Sequence, residues 1–237
     1  MCGIVGYIGS NQAAPFLLDG MSKLEYRGYD SAGIAVLEKG QVRVEKCVGR
    51  LDALRQKLEG NMPEGVMGIG HTRWATHGRP ADRNSHPHTD GSGKFVVVHN
   101  GIIENSHEIK SILTNEGYNF ISDTDTEVVC QLLERNYNGN PLSCITETLK
   151  VIEGSYALAI IHKDYPKTIF CAKKDSPLLI GKSSDGSFVF SDTSAADKYC
   201  NRVYTMGDSE IAEITESTLK FFDKNSYEYT KTIEELN

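Results

Sequence analysis

Met1-Cys2-Gly3-Ile4-Val5-Gly6 opens the chain, and this stretch combines an apolar strand pattern with a thiol at its start. A second residue as small as cysteine is compatible with removal of the initiator methionine, which would leave Cys2 as the first residue. Its thiol and α-amine then lie on adjacent carbon atoms, and an amine with a reference pKa of about 7.7 to 8.0 can act as a general base. Alone, the pattern is also typical of a small buried thiol at the end of an edge strand. The rest of the chain must therefore decide between a catalytic and a structural thiol.

The composition of the 237-residue chain is that of an ordinary globular protein. Hydrophobic residues make up 39% and charged residues 24%, and a net charge of -7 argues against a surface for nucleic acid or an anionic membrane. The longest apolar stretches are too short to cross a bilayer, and the first residues lack the pattern of a signal peptide. We therefore expect a cytoplasmic protein that acts on a small molecule.

Six cysteines are scattered singly along the chain. Disulfide-rich proteins are short and dense in cysteine, and zinc sites show close cysteine pairs, so neither class fits this spacing. The pattern predicts five reduced thiols in the core, while Cys2 is set apart by its position. The other five are Cys47, Cys130, Cys144, Cys171 and Cys200.

Hydrophobic periodicity predicts an α+β arrangement rather than a series of βαβ units. Helices are predicted at residues 13–24, 51–58, 106–115, 125–136 and 142–152. Strands are predicted at residues 5–8, 65–70, 94–99, 155–163, 167–173, 178–182, 187–191, 202–206 and 210–215, with a hairpin over 31–47 that turns at 38–41. Because hairpins flank grouped helices, we expect helices packed outside antiparallel sheets. Residues 71–93 break the periodicity and predict a long functional loop.

Four further segments share a pattern with the opening stretch: residues 25–33, residues 71–78, His99-Asn100-Gly101 and Thr124-Asp125-Thr126-Glu127. Together the five segments resemble the class II glutamine amidotransferases over essentially the whole chain. Three motifs, at residues 26–33, 71–78 and 84–88, are similar to the glutaminase half of the glucosamine-6-phosphate synthase family. The resemblance implies a four-layer αββα N-terminal-nucleophile fold, with two stacked antiparallel sheets flanked by helices, and a glutaminase domain over residues 2–237.

The Asn100-Gly101 pair directly follows the apolar stretch 95–98. Attack on a carboxamide places negative charge on its oxygen, and N–H donors aimed at that oxygen are often the largest catalytic contribution. We expect the Asn100 side-chain amide and the Gly101 backbone N–H to project at the end of this strand. The resembled family uses the matching pair as its oxyanion hole, and a plain Asn-Gly turn is the alternative.

Arg73 and Asp125 are the candidates for binding the two charged groups of free glutamine. A guanidinium can bind a carboxylate through two hydrogen bonds, and an aspartate can pair with an ammonium group. The resemblance implies these roles for the matching arginine and aspartate. The alternatives are a surface arginine and a helix-capping acid, because residues 124–127 open a helical pattern in which Thr124 is the other candidate cap.

The loop that begins at the same arginine supplies further candidates through the resemblance. In the family, the loop matching residues 73–81 covers bound glutamine, and the residues matching Thr76 and His77 contribute to the carboxylate pocket. Trp74, the only tryptophan of the chain, would close over the site and separate it from a synthase domain. The alternative, a tryptophan of the core, is disfavoured by the polar loop around it.

Arg27, Gly28 and His86 complete the candidate set. Arg27 and Gly28 resemble the segment that packs beside the nucleophile in the family, and they are assigned a supporting role. His86 is assigned to substrate binding.

A metal site is the competing interpretation of the histidine-rich loop. His71, His77, His86 and His88 lie close together in sequence, and imidazole is a common zinc ligand. The loop contains no His-x-x-x-His on a predicted helix and no adjacent cysteine pair, which favours histidines that hold the loop through hydrogen bonds. We therefore predict neither a metal nor a cofactor, since a thiol needs none to hydrolyse an amide.

The resemblance implies that Cys2 hydrolyses L-glutamine to glutamate and ammonia through a γ-glutamyl thioester. In the resembled family the ammonia passes to a sugar-isomerase half, which converts fructose 6-phosphate to glucosamine 6-phosphate. That half is absent from residues 1–237, so we expect an excised or separately studied domain of a homo-oligomeric enzyme.

Two other classes of function remain open at this point. A different amidohydrolase on the same fold would keep the nucleophile and the oxyanion donors but would not select a free amino acid. A silent regulatory or binding domain is the non-enzymatic alternative, because a retained Met1 would place the α-amine one residue away from the thiol and remove the proposed base.

Overall fold

Two antiparallel sheets form the centre of the computed structural model, which describes residues 2–74 and 78–235. The strands are β1 (Gly3–Gly9), β2 (Ser31–Glu38), β3 (Gln41–Val48), β4 (Met67–Arg73), β5 (His88–Thr89), β6 (Phe95–Ile103), β7 (Gly154–His162), β8 (Ile169–Lys174), β9 (Leu179–Ser183), β10 (Gly186–Phe190), β11 (Arg202–Thr205), β12 (Glu210–Ile214), β13 (Leu219–Phe222), β14 (Glu228–Tyr229) and β15 (Glu234–Glu235). Within the described residues, one sheet has eight strands in the order β15-β11-β9-β10-β1-β4-β2-β3, and the other has seven in the order β14-β13-β12-β8-β7-β6-β5.

Helices flank both sheets. The α-helices are α1 (Ala13–Leu24), α2 (Leu51–Leu58), α3 (Ser106–Asn115), α4 (Glu127–Asn136) and α5 (Pro141–Leu149), and short 3-10 helices lie at Glu25–Arg27, Asp82–Asn84 and Thr193–Ala195. The bounds of α1, α2 and α3 are those predicted from periodicity. Helix α5 starts at a proline and is capped by Asn140, whose Oδ1 accepts a hydrogen bond from the backbone N–H of Ser143 at 3.3 Å.

Three apolar clusters divide the molecule into four layers. One cluster lies between the eight-stranded sheet and helices α1 and α2, and a second lies between the seven-stranded sheet and helices α3, α4 and α5. The third cluster, the inner layer, lies between the two sheets and includes Ile4, Ile8, Met67, Ile69, Val96, Val98, Ala157, Ala159, Ile161 and Cys171. The predicted α+β class and the αββα order of layers are confirmed.

Strand β1 shows how the alternation of side chains builds these layers. It lies between β10 and β4, and all of its residues are buried. Val5 packs in the cluster beneath α1, whereas Ile4 and Ile8 point into the inner layer. A Cβ atom on Gly3 would lie 2.6 Å from Cβ of Leu24, so only glycine lets the strand start this close to α1.

The hairpin predicted over residues 31–47 is formed by β2 and β3. Its turn residues Lys39 and Gly40 have positive φ angles of 50° and 79°. Two such residues in succession are typical of the tight turns that join twisted antiparallel strands. The predicted turn position is confirmed.

Two predicted boundaries next to the candidate site residues are wrong. Strand β4 continues through Arg73, where the sequence predicted a loop from residue 71, and β6 continues through Ile103, where it predicted a strand end near residue 99. Polar residues there pair with neighbouring strands, Arg73 with Ser31 and Asn100 with Ala157. Sheet pairing therefore extends beyond the apolar pattern that sets the prediction.

The start of α4 also differs from the prediction, since the helix begins at Glu127 and not at residue 125. The carboxylate of Asp125 accepts a hydrogen bond from the backbone N–H of Ile103 at 2.8 Å, so it is tied to β6 rather than to the helix. Neither alternative cap is found among the described contacts: Thr126 occupies the capping position without a side-chain hydrogen bond to the helix, and the Thr124 hydroxyl contacts His88.

Two further predictions concern the state of the cysteines and the presence of membrane-spanning segments. All six cysteines are free thiols; four of the five predicted core thiols are buried, and Cys47 is partly buried. Within residues 2–74 and 78–235, no helix is both long and apolar enough to cross a membrane.

Candidate active site

The candidate site lies where the apolar inner layer ends. Residues two apart in a strand share a face, so Arg73 in β4 follows Ile69, and Asn100 in β6 follows Val98. Cys2 directly precedes β1, at the same end of the layer. The strands that bury the core therefore also bring the thiol of Cys2, a cation and an amide together.

A small cleft forms between the ends of these strands and the segment that leads into α4. It is lined by Cys2, Arg73, Trp74, His86, His99, Gly101, Thr124, Asp125 and Thr126. Five residues predicted from sequence thus border one cleft together with Cys2. The side chain of Asn100 is adjacent to it, because its Nδ2 atom donates a hydrogen bond to the backbone oxygen of Cys2 at 3.1 Å.

The Cys2 thiol is held by the backbone of Trp74. The Trp74 N–H donates to Sγ at 3.2 Å, and the thiol in turn donates to the Trp74 carbonyl oxygen at 3.5 Å. Burial raises the pKa of this thiol above its ordinary value, and the Trp74 hydrogen bond and the charge of Arg73 oppose that shift only in part. The resting group is therefore a protonated thiol, and attack on a substrate requires a base that removes its proton.

Gly28 allows the segment 25–28 to pack closely against the end of β4. A Cβ atom at this position would lie 2.8 Å from the carbonyl carbon of Arg73 and 3.0 Å from the nitrogen of Trp74. The backbone N–H of Asp30 also donates to the Arg73 carbonyl oxygen at 3.0 Å. The short 3-10 helix ends at Arg27 and is followed by Gly28, so this turn lies directly against the end of β4.

Asn100 is oriented by contacts on both sides of its amide. Its Oδ1 atom lies 2.9 Å from Nε2 of His71, while its Nδ2 atom donates to Cys2 as described. The side chain is buried and sits within β6, not beyond the end of a strand as the sequence predicted.

Gly101 lines the cleft in a conformation that other residues rarely adopt. Its φ angle is +124°, and a Cβ atom would lie 2.1 Å from the carbonyl oxygen of Ser155 on the neighbouring strand. Both the backbone geometry and the close neighbouring strand thus require glycine at this position. The alternative of a plain Asn-Gly turn is wrong, because both residues belong to β6.

Arg73 is a buried cation that lines the same cleft as the thiol. It is only 3% exposed, and its Nη2 donates to the carbonyl oxygen of Gly78 at 3.1 Å. Burial lowers its pKa, while the negative charges of Asp30 and Asp125 oppose the shift. Since an arginine stays protonated in proteins, the cleft contains a fixed positive charge, and the alternative of a surface arginine is wrong.

Asp125 supplies the negative charge of the cleft. Its Oδ2 atom is the one bound by the Ile103 N–H, and within the described residues Oδ1 makes no hydrogen bond. The residue is buried, with 8% of its surface exposed. An ammonium group in the cleft would therefore meet a carboxylate whose position is fixed by the sheet.

Trp74 lies at the mouth of the cleft rather than in the core. The residue is 44% exposed, and its ring contacts that of Tyr29 edge to face, with centroids 5.3 Å apart. Thr76 and His77, which the resemblance assigned to the carboxylate pocket, lie outside the described residues.

The histidines form a stacked group behind the cleft. The rings of His71 and His86 stack with centroids 4.1 Å apart, and His86 contacts His88 edge to face at 4.7 Å. Burial lowers the pKa of His86 and of His88 well below the ordinary value, so both rings are neutral. No group of three or more metal-ligating side chains is found in the described ranges.

Hydrogen bonds hold both the ring of His86 and the backbone on either side of this residue. Its Nδ1 accepts a hydrogen bond from the backbone N–H of His99 at 3.3 Å, which leaves the proton of the neutral ring on Nε2. The Lys46 ammonium donates to the carbonyl oxygens of Ser85 at 2.7 Å and Pro87 at 2.9 Å, and burial lowers its pKa to about 8.

Three residues that line the cleft are missing from the sequence-based set: His99, Thr124 and Thr126. His99 shares a hydrogen bond of 2.9 Å with the Thr126 hydroxyl, which connects β6 to the segment that carries Asp125. All three directly flank predicted residues in the quoted motifs, and that adjacency is the signal that would have identified them.

The comparison with family models identifies the family to which the chain belongs. A glutamine amidotransferase domain model matches residues 71–196, more than half of the chain. The chain belongs to the glutamine amidotransferase family. The resemblance inferred from five sequence segments is confirmed.

Curated relatives of this amidotransferase domain are considerably longer proteins. The glutamine–fructose-6-phosphate aminotransferase (isomerizing) of Caldanaerobacter subterraneus subsp. tengcongensis is 54% identical over 223 residues, which cover 94% of this chain and 37% of that protein. The protein of the same name from Clostridium tetani is 47% identical over 233 residues, covering 98% of this chain and 38% of that protein. The domain therefore spans less than two fifths of the length of these relatives.

Solved structures show the same fold as this amidotransferase domain. The glutamine phosphoribosylpyrophosphate amidotransferase from B. subtilis, complexed with ADP and GMP, matches with a TM-score of 0.84 and 26% identity over 94% of this chain and 49% of that chain. A structure of the allosteric regulatory enzyme of purine biosynthesis matches with a TM-score of 0.83 and the same identity. The four-layer N-terminal-nucleophile fold expected from the resemblance is confirmed.

Proposed function

We propose that this domain hydrolyses L-glutamine to glutamate and ammonia, with Cys2 as the nucleophile. The observation that carries the proposal is the position of the Cys2 thiol, in one cleft with the guanidinium of Arg73 and the carboxylate of Asp125. Free glutamine presents a carboxylate, an ammonium group and a side-chain amide, which match these three groups in charge and chemistry. Family membership and the names of the relatives support the same reaction.

The first requirement of the mechanism is a base that removes the thiol proton, because burial keeps Cys2 protonated. Once Met1 is removed, the α-amine of Cys2 accepts this proton, and Sγ attacks the side-chain carbonyl carbon of glutamine. The negative charge that forms on the carbonyl oxygen is stabilised by the amide of Asn100 and the backbone N–H of Gly101. The ammonium form of the α-amine then donates its proton to the leaving nitrogen, and ammonia departs.

The second half of the reaction restores the enzyme. The α-amine takes a proton from water, the resulting hydroxide attacks the γ-glutamyl thioester, and the bond between sulfur and carbon breaks. The α-ammonium group returns its proton to the released sulfur, which re-forms the thiol and the free amine, and glutamate leaves. No redox step or metal is involved in this sequence.

Selection of free glutamine is assigned to the two charged residues. Arg73 binds the α-carboxylate and Asp125 binds the α-ammonium group, with Trp74, Thr76, His77 and His86 as further binding residues. This assignment distinguishes the proposal from a general amidohydrolase, which would accept an amide without those charges.

The acceptor of the ammonia belongs to the longer protein. Given the names of the relatives, we propose that residues 2–237 are its glutaminase domain and that a sugar-isomerase domain passes the ammonia to fructose 6-phosphate, which gives glucosamine 6-phosphate. A homo-oligomeric, cytoplasmic enzyme is part of the same proposal. Gel filtration and cell fractionation of the full-length protein test these two points.

The decisive experiment combines intact mass with labelling by 6-diazo-5-oxo-L-norleucine, a glutamine-like electrophile. We expect a protein that lacks the mass of Met1, releases ammonia from glutamine and gains one adduct, which peptide mapping places on Cys2. A preparation that retains Met1 is the matched control and should neither react nor turn over. Processed protein without activity or adduct would end the proposal and favour a silent binding domain.

A comparison of substrates separates the proposal from a general amidohydrolase. Glutamine should be hydrolysed, whereas glutamine with a blocked α-amine should be a poor substrate because Asp125 then lacks its partner. Equal rates for the two compounds would contradict the assigned selection.

A further inference from the structure

His71 is a fully buried histidine that the mechanism above does not use. It lies on β4 between Ile69 and Arg73, at the polar end of the inner layer, and has no exposed surface. Its Nε2 atom lies 2.9 Å from Oδ1 of Asn100 and 3.0 Å from the backbone oxygen of His99. The ring therefore directly contacts the amide to which the oxyanion role is assigned.

These two distances determine where the proton of the ring lies. The His99 carbonyl oxygen can only accept, so the Nε2 atom of His71 must carry the hydrogen. An N–H at this position in turn requires an acceptor on Asn100, which is the carbonyl oxygen of its side chain. The imidazole is thus a donor that is shared between two oxygens.

The contact on the other side of the Asn100 amide, with Cys2, independently indicates the same orientation of the amide. The backbone oxygen of Cys2 can only accept, so the atom that faces it at 3.1 Å must be the amino nitrogen Nδ2. An amide turned by half a rotation would place oxygen against oxygen at Cys2 and the amino group against the N–H of His71. Both contacts would be lost together.

The surroundings of His71 keep it in this single form. Burial lowers its pKa to about 3, so the ring is neutral at physiological pH. Its Nδ1 atom is buried and has no hydrogen-bond partner within the described residues, and the ring is stacked on His86 at 4.1 Å. A neutral ring with one proton on Nε2 donates only toward Asn100 and His99.

We propose that His71 is a positioning residue that fixes the orientation of the Asn100 amide, so that the second hydrogen of Nδ2 is available to the substrate oxygen. The inference rests on the proposed glutaminase function. Without the imidazole the amide can rotate and present its oxygen to the developing negative charge, which repels that charge. His71 thus acts on the reaction through Asn100 and touches neither the substrate nor the thiol.

A pair of substitutions tests the proposal through steady-state kinetics on glutamine. In His71→Gln the side-chain amino group reaches about as far as Nε2 and can still donate to Asn100, whereas in His71→Asn it is one carbon shorter. We expect kcat of His71→Asn to fall by about 100-fold, the typical loss for one oxyanion donor, with KM close to that of the parent. His71→Gln should recover most of this loss.

A double-mutant cycle with Asn100→Ala shows whether His71 acts through Asn100. In the Asn100→Ala background, His71→Asn should cause little further loss of kcat, because no amide remains to be oriented. Multiplicative losses would mean a general structural role and would overturn the inference.

Nitrogen NMR of the parent protein provides a test that does not depend on folding of a variant. The His71 ring should be neutral with its proton on Nε2, and a proton on Nδ1 would overturn the inference. A parent protein without glutaminase activity would instead overturn the proposed function, and this inference with it. An active parent with fully active His71→Asn would overturn the inference alone.

Discussion

The middle and the polar end of the inner layer are built by the same strands but have opposite chemistry. In the middle, Ile69 of β4 and Val98 of β6 are fully buried among aliphatic side chains. Two positions further along the same faces lie His71 and Asn100, which are buried as well but carry hydrogen bonds. A change of residue type over one repeat of the strand thus separates the apolar core from the candidate active site.

The comparison shows how the site obtains its rigidity. Side chains on paired strands have fixed directions, and here β4 is held by β1 and β2, while β6 is held along its whole length by β7. The polar end therefore needs no separate scaffold, because the apolar middle already fixes it. Changes at the end should alter catalysis, and changes in the middle should alter stability.

Replacement of the nucleophile should give the largest effect. Cys2→Ala removes the attacking atom, and we expect loss of glutaminase kcat by at least about 10⁴-fold with no adduct from the glutamine-like electrophile. Ammonia release and intact mass measure both outcomes. Undiminished turnover would end the proposed mechanism.

Cys171 is the matched control for this substitution, since it is a thiol in the middle of the same layer. It is fully buried, and burial raises its pKa, so it should remain unlabelled. Cys171→Ala should keep its activity and lose about 1 kcal/mol of unfolding free energy.

A substitution in the middle of the layer should affect stability rather than chemistry. Ile161 is fully buried in the inner layer, and Ile161→Ala should lower the free energy of unfolding by about 2 to 5 kcal/mol because it leaves a cavity. Urea denaturation measures the loss, and kcat of the folded protein should stay near that of the parent. A large loss of kcat in fully folded Ile161→Ala would break the division between the two regions.

Removal of one charge at the polar end should affect substrate binding. Asp125→Asn keeps an oxygen for the Ile103 N–H but loses the charge for the substrate ammonium, so KM for glutamine should rise by about 10- to 100-fold. Asp123→Asn, on the same segment, is the control: its carboxylate is paired with Arg83 at the surface, and KM should change little. Equal effects of the two variants would contradict the assigned role of Asp125.

The pH dependence should report the α-amine rather than a histidine. Because burial raises the pKa of Cys2, the thiol depends on a deprotonated base, and kcat/KM should fall as pH decreases through about 7.7 to 8.0, by about tenfold per pH unit below it. The lowered pKa of His86 keeps that ring neutral throughout this range. A rate that stays constant down to pH 6.5 would contradict an α-amine base.

Much of this arrangement could be predicted from the sequence because its signals are local. The bounds of α1, α2 and α3 follow from helical periodicity, and Cys2, Arg73 and Asp125 follow from motifs that match a family. The extensions of β4 and β6 could not be predicted, because polar residues there are paired by strands distant in sequence. The contact between His71 and Asn100 was missed for the same reason.

The central position of β1 has a consequence for the order of events during synthesis. Strand β1 is synthesised before both of its neighbours, β4 and β10, and the second of these ends only at Phe190. Strand β1 therefore remains without one of its two pairing strands until most of the domain has been synthesised. The removal of Met1 that we propose fits within this interval, before closure of the sheet buries the residues around Cys2. The order of synthesis thus provides a time window for the proposed exposure of the α-amine of Cys2.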